Sequence, residues 1–150
     1  MENTLKITST FEENTLIPKM HSCEWKNTNP EIMIGNIPEK TESLALIMDD
    51  PDAPMWTFVH WVAWNMPVGD IEESSSGSWM YKEGINSASK KGYTWPCPPV
   101  WHWLHHYHFR IFALDHKLNL DWEISKERLL KEIGPHVIAQ WDIIWLFERK

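Results

Sequence analysis

Two aspartates and a histidine lie close together between two apolar runs of the sequence. Asp50 and Asp52 follow the run 44–48, and His60 lies within the next alternating run, 57–65. Prolines in the intervening turn interrupt strand pairing and stiffen the backbone. Both runs have the pattern of strands, which would bring the carboxylates and the imidazole to one end of a sheet. The alternative is a proline-rich turn beside a core histidine whose hydrogen bonds are satisfied.

A second chemical cluster occupies residues 101–109, which contain four of the eight histidines. On a strand, His105 and Tyr107 share one face, and the neighbouring histidines take the other. Histidines at this spacing can bind metal, but no further ligands follow at a specific spacing, so no metal is predicted. An anion site is favoured, in which His105 and Tyr107 donate hydrogen bonds to a phosphate-like group beside His60. Asp50 would then orient an imidazole or receive a cationic part of the ligand.

Strands are the main elements that would position these groups. The patterns predict strands over 5–11, 32–34, 43–48, 57–65, 107–114 and 143–147. Within the fourth strand, alternation places Phe58, His60, Val62 and Trp64 on one face. Residues 66–88 are predicted to be a long surface excursion.

Helix is predicted only near the C-terminal end of the sequence. Ser125 has the character of an N-cap, Gly134 ends this helix, and a second short helix is expected over 136–140. The predicted fold is therefore mostly β, an α+β antiparallel β-sandwich with C-terminal helices. Residues 1–150 are expected to form a single domain.

Composition and charge exclude several classes of function. The net charge of -7 argues against nucleic-acid binding. No apolar stretch reaches membrane-spanning length and no secretory signal is recognisable, so a cytoplasmic location is predicted. Cys23 and Cys97 are expected to be reduced there, and a single long-range disulfide between them is the alternative.

Several short motifs, in order and spacing, resemble those of one family. They are Asp50-Pro51-Asp52-Ala53-Pro54, Val59-His60-Trp61, and Pro98-Pro99 followed by His105-x-Tyr107. The chain resembles the phosphatidylethanolamine-binding protein family, in particular its bacterial and archaeal branch, often described as Raf-kinase-inhibitor-like. The resemblance extends along nearly the whole chain, through Ser22-Cys23, Asn29-Pro30, Leu44-Ala45-Leu46, Gly92-Tyr93, Pro96-Cys97 and Ser125-Lys126-Glu127.

The resemblance implies a β-sandwich with a small pocket for phosphate-containing head groups. It implies a binding or regulatory role, with no catalytic residues, cofactor or metal. With two residues of the acidic turn included, the expected ligand-binding set is Asp50, Asp52, Pro54, His60, Pro98, Pro99, His105 and Tyr107. One departure concerns charge: the family usually has arginine after the histidine matched by His105, and here that residue is His106. The fixed charge of a guanidinium is therefore missing near the pocket.

The tryptophan content is unusual. Tryptophan occurs 11 times and glycine only 6 times in 150 residues. Against the family pattern, most of these tryptophans stand where glycine or another small residue is usual, and only Trp61 and Trp64 fit. We call the other nine the candidate glycine positions: Trp25, Trp56, Trp79, Trp95, Trp101, Trp103, Trp122, Trp141 and Trp145.

A one-way exchange of glycine for tryptophan indicates a decoding rule rather than drift. We hypothesise that the source organism reads UGA as glycine and that the sequence was translated with UGA as tryptophan. Exchanging nine of the 11 tryptophans would raise glycine from 6 to 15, an ordinary content. The alternative is a genuine tryptophan-rich binding surface. If the indoles are real, we expect several to be exposed, or backbone strain at Trp25, Trp95 and Trp101.

Three functions follow from these observations. The first is non-enzymatic binding of a phosphate-containing small molecule or lipid head group, in a regulatory role. The second is inhibition of a protein partner, such as a kinase or protease, through surface loops. The third and least favoured is a hydrolase or metal enzyme using Asp50, His60 and His105, because no serine or cysteine nucleophile stands in a recognisable setting.

Overall fold

A five-stranded antiparallel sheet forms the centre of the molecule, in a computed structural model that describes residues 4–150. Its strand order is β5-β4-β3-β6-β7, and a separate pair, β1-β2, forms a second small sheet. The strands are β1 Lys6–Thr8, β2 Met33–Gly35, β3 Ser43–Asp50, β4 Phe58–Met66, β5 Lys82–Glu83, β6 His105–Leu114 and β7 Val137–Phe147. One α-helix, α1 at Lys126–Ile133, precedes the last strand. The mostly β fold predicted from the sequence is confirmed.

The central strand β3 is buried along its whole length because the sheet is covered on both faces. One core cluster packs Leu46, Met48 and Phe109 between the large sheet and the β1-β2 side. The other packs Ile47 and Leu129 beneath α1. Successive side chains of β3 point to opposite faces of the sheet and so contribute to both core clusters, as expected for a central strand that is covered on both faces.

The C-terminal region differs from the prediction of two helices. After α1, a short 3-10 turn at Gly134–His136 leads directly into β7, so the helix predicted over 136–140 is wrong. Residues from Val137 onward pair with β6 through to Phe147, and β-branched Val137 and Ile138 suit such pairing. The segment 66–88, which was predicted to be a long surface loop, also contains a strand, β5, which pairs with β4.

The predicted face of β4 is wrong because the strand contains a β-bulge. Asp49 pairs with Val59 and Met48 pairs with Trp61, which leaves His60 as the extra residue. Val62 and Trp64 belong to the core beneath α1, whereas His60 faces Tyr107 on the opposite side of the sheet. A bulge changes the direction of a side chain without ending the strand.

Most of the candidate glycine positions carry indoles that protrude into solvent. Trp79 is 94% exposed and Trp101 is 84% exposed, and five others are also exposed: Trp25, Trp56, Trp103, Trp122 and Trp141. Trp101 has a φ of 68°, in the left-handed region that favours glycine. The expected exposure is therefore confirmed, as is backbone strain at Trp101, whereas Trp25 and Trp95 do not have the positive φ that strain there would require. Trp145 is buried in the core, but its indole N–H has no hydrogen-bond partner within residues 4–150.

No helix within residues 4–150 is long and apolar enough to cross a membrane.

Candidate functional site

The end of β3 directs two consecutive aspartates to opposite sides of the sheet. Asp49 accepts hydrogen bonds from Arg110 at 2.6 Å and from Lys126 at 2.7 Å, on the side of α1. Asp50 lies on the other side and is 3% exposed. Its Oδ1 accepts from the backbone N–H of Asp52 at 2.8 Å, which holds the acidic turn against the end of the strand.

Asp50 begins a chain of hydrogen bonds through two histidines. Its Oδ2 accepts from Nδ1 of His105 at 2.6 Å. Nε2 of His105 lies 2.6 Å from Nδ1 of His102. In the tautomer that has the proton of His105 on Nδ1, its Nε2 accepts from the Nδ1–H of His102. The sequence analysis expected Asp50 either to orient an imidazole or to receive a cationic part of the ligand, and the contact with an imidazole is present. The N–H of His105 that was expected to reach a phosphate is used by Asp50 instead, and His102 was not identified as the next member.

The bulge places His60 beside this chain. Nδ1 of His60 donates to the backbone carbonyl of Thr94 at 2.8 Å. The ring packs edge-on against Tyr107, with 5.3 Å between centroids. Burial lowers the pKa of His60 from 6.5 to about 4, so the ring is neutral at physiological pH. Burial also raises the pKa of Tyr107, which therefore keeps its O–H as a donor.

These groups surround a cavity of about 260 Å³ at the end of the sheet. Its polar side chains come from β3, β4 and β6, and prolines and aromatic rings form its walls. Seven of the eight predicted site residues line it: Asp50, Pro54, His60, Pro98, Pro99, His105 and Tyr107. The remaining lining residues, which the sequence analysis did not assign to the site, are Ala53, Phe58, Ala88, Thr94, Trp95 and Cys97. That these residues bind a ligand stays a prediction.

The eighth predicted residue, Asp52, does not line the cavity. Its Oδ2 accepts from the backbone N–H of His106 at 2.8 Å and from Nδ1 of His106 at 2.7 Å. Asp52 therefore fastens the acidic turn to the outer face of β6. His106, which stands where the resemblance leads one to expect arginine, is engaged in this contact.

A disulfide between Cys23 and Cys97 crosses one wall of the cavity. The expectation of two reduced thiols is wrong. The alternative, a single long-range disulfide, is what the structure contains. The sequence could not decide this because 74 positions separate the two residues and only the fold brings them together. The backbone N–H of Cys23 also donates to the carbonyl of Pro96 at 3.1 Å, next to the disulfide.

Within residues 4–150, no group of three or more histidine, cysteine or acidic side chains is placed to hold a metal ion. The two imidazoles nearest the cavity carboxylate are instead used in hydrogen bonds to Asp50 and Thr94. The chemistry of the cavity is therefore that of hydrogen-bond donors and acceptors.

Comparison with known proteins agrees with this arrangement. A family model described as "Phosphatidylethanolamine-binding protein" matches residues 7–148. A "UPF0098 protein" of Pyrococcus horikoshii is 41% identical, over 97% of this chain and 77% of the relative. The crystal structure of a putative phosphatidylethanolamine-binding protein homolog from Chlamydia trachomatis is 30% identical, with a TM-score of 0.90 over 99% of this chain and 100% of the other. E. coli YbcL, described as a new member of the mammalian family, is 26% identical, with a TM-score of 0.88 over 97% and 99% of the two chains.

Proposed function

The chain belongs to the phosphatidylethanolamine-binding protein family, and from this membership we propose that its cavity binds a small phosphate-containing ligand without converting it. The observation that carries the proposal is the convergence of Asp50, His60, His105 and Tyr107 on one buried cavity. At about 260 Å³, the cavity lies just below the roughly 300–1,000 Å³ typical of drug-sized sites, which fits a head group or a small anion. The protein would act as a binding or regulatory protein.

The arrangement of the cavity supports binding rather than catalysis. Asp50 and His105 form a pair that could move a proton, but catalysis of acyl or phosphoryl transfer through a covalent intermediate also needs a nucleophile. The lining cysteine, Cys97, is oxidised in the disulfide. We therefore propose that the buried carboxylate orients His105 for ligand recognition.

The other predictions about function have no comparable support. Inhibition of a kinase or protease stays a prediction. A cytoplasmic location also stays a prediction: disulfides such as Cys23–Cys97 are characteristic of oxidising compartments and, within the cytosol, of proteins from hyperthermophiles.

Ligand titration followed by NMR tests the proposal. Phosphoethanolamine should shift the imidazole signals of His60 and His105 before those of His116. His105→Ala should weaken binding by about 1–3 kcal/mol, because it leaves the buried carboxylate of Asp50, which faces the ligand, without its hydrogen-bond partner. His108→Ala is the matched control, because His108 lies on the other face of β6 and contacts Asp142.

Two results would contradict the proposal. The first is the absence of any histidine shift with phosphate or phosphoethanolamine. The second is hydrolysis of a phosphate ester that disappears in His105→Ala and persists in His108→Ala, which would favour the enzyme instead.

A further inference from the structure

The imidazole N–H groups that line the cavity are already used in hydrogen bonds within the protein. A backbone carbonyl can only accept, so the bond to Thr94 requires the proton of His60 to reside on Nδ1. Nε2 of the neutral ring is therefore an acceptor, and no hydrogen bond within residues 4–150 reaches it. The proton on His105 is likewise engaged with Asp50. The hydroxyl groups of Tyr107 and Thr94 remain as side-chain donors among the lining residues.

The cavity also lacks a fixed positive charge. Among the lining residues within 4–150 there is no lysine or arginine, and the buried Asp50 contributes a carboxylate. Arg149 donates to the carbonyl of Pro98 at 2.7 Å but does not line the cavity. A fully ionised phosphate or sulfate entering this cavity would meet a carboxylate and an imidazole lone pair without a compensating cation.

We propose that the cavity takes its phosphate group in a protonated form, with a P–O–H donating to Nε2 of His60. This inference rests on the proposed function and narrows its ligand to phosphate monoesters. A monoester monoanion carries one ionisable O–H, so it can donate to His60 while another of its oxygens accepts from Tyr107. A diester or sulfate has no such proton and leaves the acceptor of His60 unpaired in a buried place.

Proton balance makes the inference measurable. A monoester that is a dianion in solution must take up one proton as it binds, which comes from the solvent and is shared between a phosphate oxygen and Nε2 of His60. The charged and titratable groups around His60 act in different directions: the carboxylates favour a proton at its ring, His105 opposes one, and the others are neutral or already hydrogen-bonded. They are Asp49 and Asp50 on β3, His105 and Tyr107 on β6, and His102 beyond His105.

Calorimetry with three probes tests this on the unmodified protein. Below its second pKa of about 6, methyl phosphate is a monoanion that carries an ionisable proton. Dimethyl phosphate is a monoanion without such a proton. Sulfate is a dianion without such a proton. We expect methyl phosphate to bind about tenfold or more tightly than the other two near pH 5. Above its second pKa of about 6, its affinity should fall about tenfold per pH unit, with about one proton taken up. Buffers of different ionisation heats measure that uptake.

The outcomes separate this inference from the proposed function. Equal binding of methyl phosphate, dimethyl phosphate and sulfate, or a pH-independent affinity for methyl phosphate, would overturn the inference and leave phosphate binding intact. Tight binding of dimethyl phosphate would favour a lipid head group, which is a diester. If none of the three probes binds at any pH, the proposed function itself fails.

Substitution of His60 locates the proton. His60→Gln offers an amide that can donate, so proton uptake should disappear and the preference for methyl phosphate over sulfate should shrink about tenfold. His108→Gln, outside the cavity, should retain both properties. Asp50→Asn is the second variant should His60→Gln fold poorly: it removes the buried charge and should strengthen sulfate binding. Undiminished proton uptake in a folded His60→Gln protein would refute the assignment.

Discussion

Removal of the Cys23–Cys97 disulfide is the perturbation whose effect follows most directly from the structure. The bond joins the segment after the 3-10 turn Lys19–His21 to the proline-flanked wall of the cavity. Cys97 lines the cavity itself. Breaking the bond should therefore affect both the stability of the whole chain and the position of one cavity wall.

The size of the effect follows from the length of chain that the bond closes. Cys23 and Cys97 are 74 positions apart. In the chain-entropy account, a loop of that length is worth about 4 kcal/mol at 25 °C. For a chain of 150 residues, such a loss lowers the melting temperature by roughly 8–16 °C.

Thermal unfolding with and without a reductant provides the assay. The native protein should lose this stability when reduced. Mass spectrometry after alkylation confirms the redox state, because the reduced protein gains two alkyl groups and the oxidised protein gains none. The double variant Cys23→Ser with Cys97→Ser should melt near the reduced protein and should not respond to reductant. Its affinity for methyl phosphate should equal that of the reduced protein. A fully reduced native protein that melts within about 2 °C of the oxidised form would refute this account.

Three further predictions concern charge and composition. Because the folded pKa of His60 is lowered from 6.5 to about 4, its contribution to stability is present above pH 6.5 and is lost as pH falls towards 4. About 3 kcal/mol should be lost there in urea unfolding, and His60→Gln should flatten that part of the profile; an unchanged profile would contradict the neutral state of the buried ring. Asp49→Asn leaves Arg110 and Lys126 without their shared carboxylate, and should cost about 1–3 kcal/mol by urea midpoint, whereas Glu132→Gln on the exposed side of α1 should cost less than about 0.5 kcal/mol. A protein with glycine at the seven exposed candidate glycine positions, with Trp95 and the buried Trp145 kept, should be more soluble than the written sequence and should bind methyl phosphate at least as well; UGG codons at the candidate glycine positions in the source gene would end the decoding hypothesis.

The parts of the fold that could be predicted are those that depend on local pattern. The apolar run in β3 and the alternation of His105, Tyr107 and Phe109 indicate buried strands whatever their partners. Ser125 was predicted as the N-cap of α1, and its side chain accepts from the backbone N–H of Arg128. The order of the motifs then made the family recognisable, and with it the set of side chains around the cavity.

The parts that could not be predicted depend on partners distant in sequence. The direction of His60 is set by a bulge that exists only because β4 is paired with β3. The segment after Pro135 became a strand because β6 offered a free edge to pair with. Nothing near Thr94 in the sequence marks it as the acceptor for His60, 34 positions away. In each case the information lies in a contact between elements rather than in either element alone.

The tryptophans connect the composition of the chain to the chemistry of its cavity. The groups that we propose to recognise the ligand, Asp50, His60, His105 and Tyr107, are buried and mutually hydrogen-bonded or packed, and none is a candidate glycine position. Most of the candidate glycine positions are instead at the surface, where an indole adds exposed apolar area. Trp101 shows the conflict most directly, since its backbone is held in a conformation that favours glycine, one residue before the end of the histidine chain at His102. Decoding as glycine would relieve that strain and would keep the four recognition groups, but it would remove the indole of Trp95 from the cavity wall and that of Trp103 from beside His105. The side chains proposed to recognise a protonated phosphate are therefore the same in either reading of the gene, whereas the walls around them differ.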